Sequence, residues 1–104
     1  MTMLTMPNNY LEEALLIDRS DILKLSFPTD DVLEGREDIM KRSRQIHRAT
    51  SLGNLEHKKV HIIFRDEKEV KRIFTTIWIQ VGEYILLKER IKLPVHRILE
   101  VIID

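Results

Sequence analysis

The sequence predicts an α+β domain in which an N-terminal helical segment is followed by an antiparallel sheet. Three observations predict this fold class. The apolar residues recur with a helical period up to Gly53, they alternate with polar residues from Lys58 onward, and the alternation is interrupted only at residues that favour turns. A length of 104 residues suits a single core, so we treat residues 1–104 as one domain.

The segments before the main helix give weaker signals. Residues 1–9 contain a proline and show no periodicity, so we expect a loose N-terminus. Residues 10–17 (YLEEALLI) suit either a short helix or the lead into a strand, and this choice stays open. Residues 22–27 (ILKLSF) alternate and stop at a proline, which favours an extended segment.

The main helix is predicted over residues 31–52. Asp31 and Glu34 have the spacing of a capping box, in which each side chain accepts a hydrogen bond from an otherwise unpaired amide. Apolar residues then recur at seven-residue intervals, about two helical turns apart, and Gly53 is expected to end the helix.

The second half, residues 58–103, is predicted to form an antiparallel meander of four or five strands. The first strand covers residues 60–64, a charged hairpin connection follows at 66–69, and a long strand spans residues 70–80. Later features are a reversal at Gly82, a strand at 84–88, a tight turn at 89–90, a strand from 91, an edge position or helical turn at 94–97 and a last strand at 98–103.

The long strand carries apolar residues on both sides, so both of its faces need cover. A sheet curled into a small barrel would supply it, and so would N-terminal elements on one face and a second subunit on the other. The predicted core consists of Ile39, Ile46, Val60, Ile62, Phe64, Ile73, Ile77, Ile79, Ile85, Leu87, Leu93, Ile98 and Val101.

The order of these elements resembles that of SH3-like and Sm-like small β-barrels. A helix precedes the meander, and the segment IKLPVHRILEV is similar to their ending, in which a short turn leads into the last strand. The resemblance covers residues 31–103 and implies a strongly bent sheet that closes into a barrel. It rests on element order, and no functional residue carries over.

Composition excludes several classes of protein. The chain has no cysteine, which removes disulfides and thiolate chemistry and fits a reducing compartment, so we expect a cytoplasmic protein. No stretch has the pattern of a signal peptide or the length of a membrane span. The net charge is zero, but residues 1–34 carry seven acids against two bases. The basic remainder either pairs with that acidic segment or binds a polyanion.

No catalytic or metal-binding pattern interrupts the sheet. The sequence lacks a glycine-flanked serine, a helical pair of zinc-binding histidines and a phosphate-cradling loop. His57, His61 and His96 do not have the spacing of a ligand set. We therefore expect no enzyme activity, no cofactor, no metal and no small-molecule substrate.

Binding is the function that remains. We predict a non-catalytic binding or scaffolding module that forms a homodimer or binds another protein, with Phe74 and Trp78 as contact aromatics because they lie opposite the aliphatic face of the long strand. The alternative is binding of single-stranded nucleic acid such as RNA. Its cations and stacking group would be Arg42, Arg44, Arg48, Arg72 and Trp78.

Overall fold

The structure, a computed structural model, describes residues 13–104 and confirms the α+β class. The main helix, α1, spans Arg36–Glu56. The strands are β1 (Leu15–Leu16), β2 (Val60–Arg65), β3 (Val70–Thr75), β4 (Ile77–Val81), β5 (Tyr84–Leu87), β6 (Lys92–Pro94) and β7 (Ile98–Ile102). Short 3-10 helices cover Arg19–Lys24, Lys88–Arg90 and Val95–Arg97.

The strands form two sheets instead of the single sheet that the sequence predicted. The large sheet has the order β1-β3-β2-β7 and the small sheet has the order β4-β5-β6. Strand β1 runs parallel to β3, whereas all other neighbours are antiparallel. Between residues 13 and 104 no hydrogen-bonded ladder joins the two sheets, so they do not close into a barrel there.

The long strand predicted over residues 70–80 is divided at Thr76, and its two parts belong to different sheets. The turns on either side agree with the sequence. The charged connection at 66–69 joins β2 to β3, and Gly82 reverses the chain between β4 and β5 with a φ of 59°. That positive φ explains the glycine, because residues with a Cβ rarely adopt it.

The ends of α1 differ from those predicted. The helix begins at Arg36, after Gly35 as N-cap, and Asp31 is not a capping residue. The Asp31 carboxylate instead accepts hydrogen bonds from the Leu33 amide and from Arg42. Gly53 lies inside the helix, where an added Cβ would approach the Ile77 carbonyl oxygen to 2.5 Å. The glycine is therefore explained by close packing rather than by a helix end.

The N-terminal predictions have mixed outcomes. Residues 1–9 lie outside the described residues, as does the start of segment 10–17, whose later part forms β1. The extended segment predicted at 22–27 is wrong for its first three residues, because Arg19–Lys24 is a 3-10 helix. Asp18 and Asp21 form a capping box at its start, and this local hydrogen bonding prevails over the alternating pattern.

The main core lies between α1 and the inner faces of both sheets, and it contains most of the residues that the sequence predicted. Ile39 is only half-buried, and Ile79 is 49% exposed, so Ile79 is not a core residue. A smaller cluster around Ile63 lies on the outer face of the large sheet. Its cover comes from the N-terminal residues Ala14, Val32 and Leu33.

A β-bulge at Trp78 explains why Ile79 is exposed. Ile77 lies opposite Leu87 of β5, but Ile79 lies opposite Leu86. Residues directly opposite each other share a face of the sheet, and the neighbours Leu86 and Leu87 point to opposite faces. Ile77 therefore points into the core, whereas Ile79 points to the outer face.

Side chains of α1 bond to the edge strands of both sheets. At the β7 edge, Arg42 donates to the Ile98 carbonyl oxygen at 3.0 Å and the Gln45 amide oxygen accepts from the Val101 N–H at 3.0 Å. At the β4 edge, the Asn54 amide donates to the Trp78 carbonyl oxygen at 3.2 Å. The helix thus fills the space between two sheet edges that are not paired with each other.

Substituting Gly53 by alanine tests this close contact. Alanine favours a helix over glycine by about 1 kcal/mol, but its Cβ would overlap the backbone of β4. We expect Gly53→Ala to lower the free energy of unfolding by about 1–3 kcal/mol in urea denaturation. The matched control is Ser51→Ala, at an exposed helical position. Equal or higher stability of Gly53→Ala would contradict the contact.

Asp66 is a buried carboxylate in the β2–β3 connection. Its oxygens accept hydrogen bonds from the Lys68 and Glu69 amides and from the buried Lys71 ammonium. Burial raises the pKa of Asp66, but the hydrogen bonds from Lys71, Glu69 and Lys68 outweigh it, and the pKa lies below its ordinary value. The ionised carboxylate therefore stabilises the folded chain at neutral pH.

We expect Asp66→Asn to lower the free energy of unfolding by about 2–4 kcal/mol at pH 7, because it leaves Lys71 buried without this partner. The difference from the wild type should persist above the unfolded pKa, near 4. It should shrink as the pH falls through the lowered folded pKa, where Asp66 itself becomes protonated. Urea denaturation at several pH values measures this, with Glu67→Gln as an exposed control on the same turn. A gap that stayed constant into strong acid would refute the assignment.

Candidate functional site

Two exposed aromatic side chains lie close to several cations where β3 leads into β4. Phe74 is 45% exposed on β3, and Trp78 is 41% exposed on β4. We define the aromatic–basic surface as Lys59, His61, Arg72, Phe74 and Trp78. The strands that carry the two rings are separated at Thr76, where the chain passes from the large sheet to the small one.

The contacts of Phe74 are specific. It lies opposite His61 in the β2–β3 ladder, and the two rings stack with centroids 4.5 Å apart at an angle of 30°. The Lys59 ammonium lies 6.0 Å from the Phe74 ring centroid, within the range of a cation–π interaction. One face of the ring is thus covered by His61, and nearly half of the side chain remains in contact with solvent.

His61 is held between Arg72 and Asp104. Its Nδ1 lies 3.1 Å from the Arg72 guanidinium, and its Nε2 lies 3.6 Å from the Asp104 carboxylate. Since arginine only donates, Nδ1 accepts and the proton of the neutral ring is assigned to Nε2, which faces the carboxylate. Arg72 and Asp104 therefore fix the ring against which Phe74 stacks.

Trp78 lines an open depression at the C-terminal end of α1. The other lining residues are Gly53, Asn54, His57, Lys59, Thr76 and Lys88. Hydrogen bonds from Asn54 to the Trp78 carbonyl and from Thr76 to the His57 carbonyl tie this part of β4 to the helix. The backbone around the exposed indole is thus held in place, and Lys59 is common to the surroundings of both aromatic rings.

The arginines that the sequence assigned to nucleic-acid binding do not lie together. Arg42 is 4% exposed and makes two 2.8 Å hydrogen bonds to the Asp31 carboxylate, so it does not belong to an exposed surface. Arg44 and Arg48 are exposed and line a groove along α1 whose apolar residues are Val101 and Ile103. Arg72 is half-buried beside His61.

Some exposed residues were not found from the sequence. Ile79, Val81 and Tyr84 form an exposed apolar row on the outer face of the small sheet. A two-residue period along the strand predicts that Ile79 lies in the core. The bulge at Trp78 shifts the register, so Ile79 points to the outer face instead. Lys88 was missed as a neighbour of Trp78, because the hairpin that brings it there connects residues ten positions apart.

The described residues contain neither a cluster of metal ligands nor a helix that could span a membrane. Among residues 13–104, no three or more histidine, aspartate or glutamate side chains are grouped closely enough to hold a metal ion. The helices of that range are too short or too polar to cross a membrane. His96, one of the three histidines considered, lies 3.1 Å from the Pro28 carbonyl oxygen through its Nε2.

Comparisons of the chain with models of known protein families, with curated proteins and with solved structures gave no match.

The different placements of Arg42 and Arg44 can be tested directly. Arg42→Ala removes a buried guanidinium and leaves the Asp31 carboxylate and the Ile98 carbonyl without their partner. We expect it to lower the free energy of unfolding by about 3 kcal/mol, whereas the exposed control Arg44→Ala changes it by less than about 0.5 kcal/mol. Thermal or urea denaturation measures both. Similar stability of the two variants would refute the buried position of Arg42.

Proposed function

We propose that this protein is a non-catalytic association module that forms a homodimer, with Phe74 and Trp78 as its contact aromatics. The observation that carries the proposal is the exposure of both rings, with Lys59 beside Phe74 and also in the lining of the depression at Trp78. In a chain of this size, aromatic side chains generally bury most of their area, and each covers about 150–250 Å². Two that remain more than 40% exposed are candidates for burial by a partner.

The surroundings of the rings suit a protein interface. Residues that dominate binding energies are enriched in tryptophan and tyrosine, and they are surrounded by polar groups that exclude water from the contact. Asn54, His57 and Lys59 provide such polar groups beside Trp78. Because the backbone at Trp78 is already tied to α1, little conformational entropy is lost when a partner covers the ring.

Single-stranded nucleic acid is the second candidate, and the position of Lys59 favours it. A lysine near Phe74 that also lines the depression at Trp78 can contact a phosphate while bases stack on the rings. Lys88 and Arg72 would add cations on either side. Arg44 and Arg48 could extend the path along α1, whereas Arg42 is left out because it is buried.

We also propose that the fold is an open variant of the SH3-like or Sm-like barrel. In support, the first strand of the meander, β2, lies between β3 and the last strand, β7, and a 3-10 turn precedes that last strand. In this view α1 occupies the gap between the β4 and β7 edges.

The absence of cysteine from the sequence supports a cytoplasmic location.

Self-association is tested by analytical ultracentrifugation over a wide concentration range. We expect a monomer–dimer equilibrium that Trp78→Ala and Phe74→Ala each weaken by about tenfold or more, because each removes an aromatic contact. The control is Met40→Ala, which truncates an apolar side chain that is 49% exposed near the start of α1, about four helical turns before Asn54. A strictly monomeric wild-type chain at high concentration would refute the proposal.

Nucleic-acid binding is tested by fluorescence anisotropy with labelled single-stranded RNA at low salt. If the alternative holds, affinity falls steeply with rising salt and drops for Lys59→Ala, because phosphate contacts release counterions. Trp78 is the only tryptophan of the chain, so quenching of its emission reports stacking. A flat titration at low salt would remove this alternative.

A further inference from the structure

The free edges of the two sheets are protected to different degrees. In the described part of the chain, the edge strands are β1, β7, β4 and β6. Strand β1 has two residues, and β7 is bonded by Arg42 and Gln45 of α1. Strand β6 carries Lys92 and Pro94, residue types that oppose pairing with another chain. β4 beyond Trp78, residues 79–81, has no such protection among its own residues or from α1.

The sequence around this edge is unusual in having no charge. No charged residue occurs from Ile73 to Gly82, although 33% of the whole chain is charged. Exposed edges usually carry lysine, proline or an inward-pointing charge that discourages pairing. An uncharged edge can lie against an identical copy of itself without placing like charges opposite each other.

The backbone at this edge is oriented for pairing. The Trp78 carbonyl oxygen points away from β5, because it accepts the Asn54 hydrogen bond at the edge. After the bulge, Val81 and Tyr84 close the two-residue turn, so the backbone groups of Val81 face β5 and those of the preceding Gln80 face the opposite side. The N–H and C=O of Gln80 therefore point to the open edge, where α1 no longer reaches.

The side chains beside this edge are apolar and exposed. Ile79 is 49% exposed, Val81 is 60% exposed, and both share the outer face with Tyr84. The bulge at Trp78 places them there. A second chain along the edge would bring its own apolar side chains beside them and reduce the apolar area in contact with water.

We propose that the edge of β4 pairs antiparallel with β4 of a second copy of this chain, so that two small sheets join into one continuous sheet about a two-fold axis. A two-fold contact requires a surface that complements itself, and an uncharged strand with outward-pointing Gln80 backbone groups meets that requirement. This inference rests on the proposed function, because it specifies the geometry of the homodimer.

Two variants block the edge without altering the proposed contact aromatics. Gln80→Pro removes the outward N–H, and Ile79→Lys adds the charge that natural edges carry. We expect each to raise the dimer dissociation constant by about tenfold or more in analytical ultracentrifugation. Met40→Lys is the matched control, since it places the same charge at an exposed apolar position near the start of α1, far along the helix from the β4 edge. Circular dichroism checks that the variants fold.

Hydrogen exchange on the unaltered chain tests the pairing without a substitution, so misfolding of a variant cannot affect the result. The Gln80 amide should exchange slowly at dimer-forming concentrations and at least about tenfold faster after dilution. The exchange rate of the Lys92 amide, at the β6 edge, should not change with protein concentration. A dimer that withstands Gln80→Pro and shows no concentration-dependent protection at Gln80 would overturn the edge pairing while leaving self-association intact. A monomer at all concentrations would overturn both.

Discussion

The contact between α1 and the edges of both sheets is the constraint on which the rest of the structure depends. Gly53 lets the helix approach so closely that a Cβ would lie 2.5 Å from the Ile77 carbonyl oxygen. On the other side, Arg42 and Gln45 bond to the backbone of β7. The two sheets have no common ladder in the described range, so the helix and the shared apolar core hold them in one unit. The acidic N-terminal segment adds to this arrangement, because Asp31 orients Arg42.

The same contact determines which residues remain available for binding. Because the hydrogen bond from α1 reaches β4 only at Trp78, the rest of that edge has no strand partner within residues 13–104. The bulge at Trp78 then turns Ile79 and Val81 outward, whereas Ile77 stays in the core. The break at Thr76 places Phe74 and Trp78 in different sheets, and Lys59 lies beside Phe74 and also lines the depression at Trp78. The open edge and the apolar row thus both begin at Trp78, where the hydrogen-bonded contact with the helix ends.

The sequence predicted the parts of the fold that depend on local chemistry. Alternation predicted β2, the charged residues at 66–69 predicted a hairpin, Gly82 predicted a reversal, and Pro94 predicted an edge position or a helical turn at 94–97, where β6 ends and a 3-10 helix follows. It did not predict features that depend on distant partners. A glycine is favoured both where a helix ends and where a helix packs closely against a strand. The sequence alone does not show which of these two explains Gly53. Ile79 is exposed because Trp78 has no partner in the β4–β5 ladder, so the faces change from that residue onward. The alternation of apolar and polar residues in the sequence does not reveal this change. Arg42 was assigned to a surface because arginines are usually solvated, but Asp31 and the Ile98 carbonyl provide it with a buried site.

Native-state hydrogen exchange across α1, β4 and β7 tests most directly whether the helix holds the two sheets together. We expect the slowest amides of all three elements to open with about the same free energy, close to that of global unfolding, because none of them can separate without exposing the shared core. Slow exchange in the strands together with opening of α1 at a free energy several kcal/mol lower would show that the helix detaches on its own, and this result would contradict its role in holding the two sheets together.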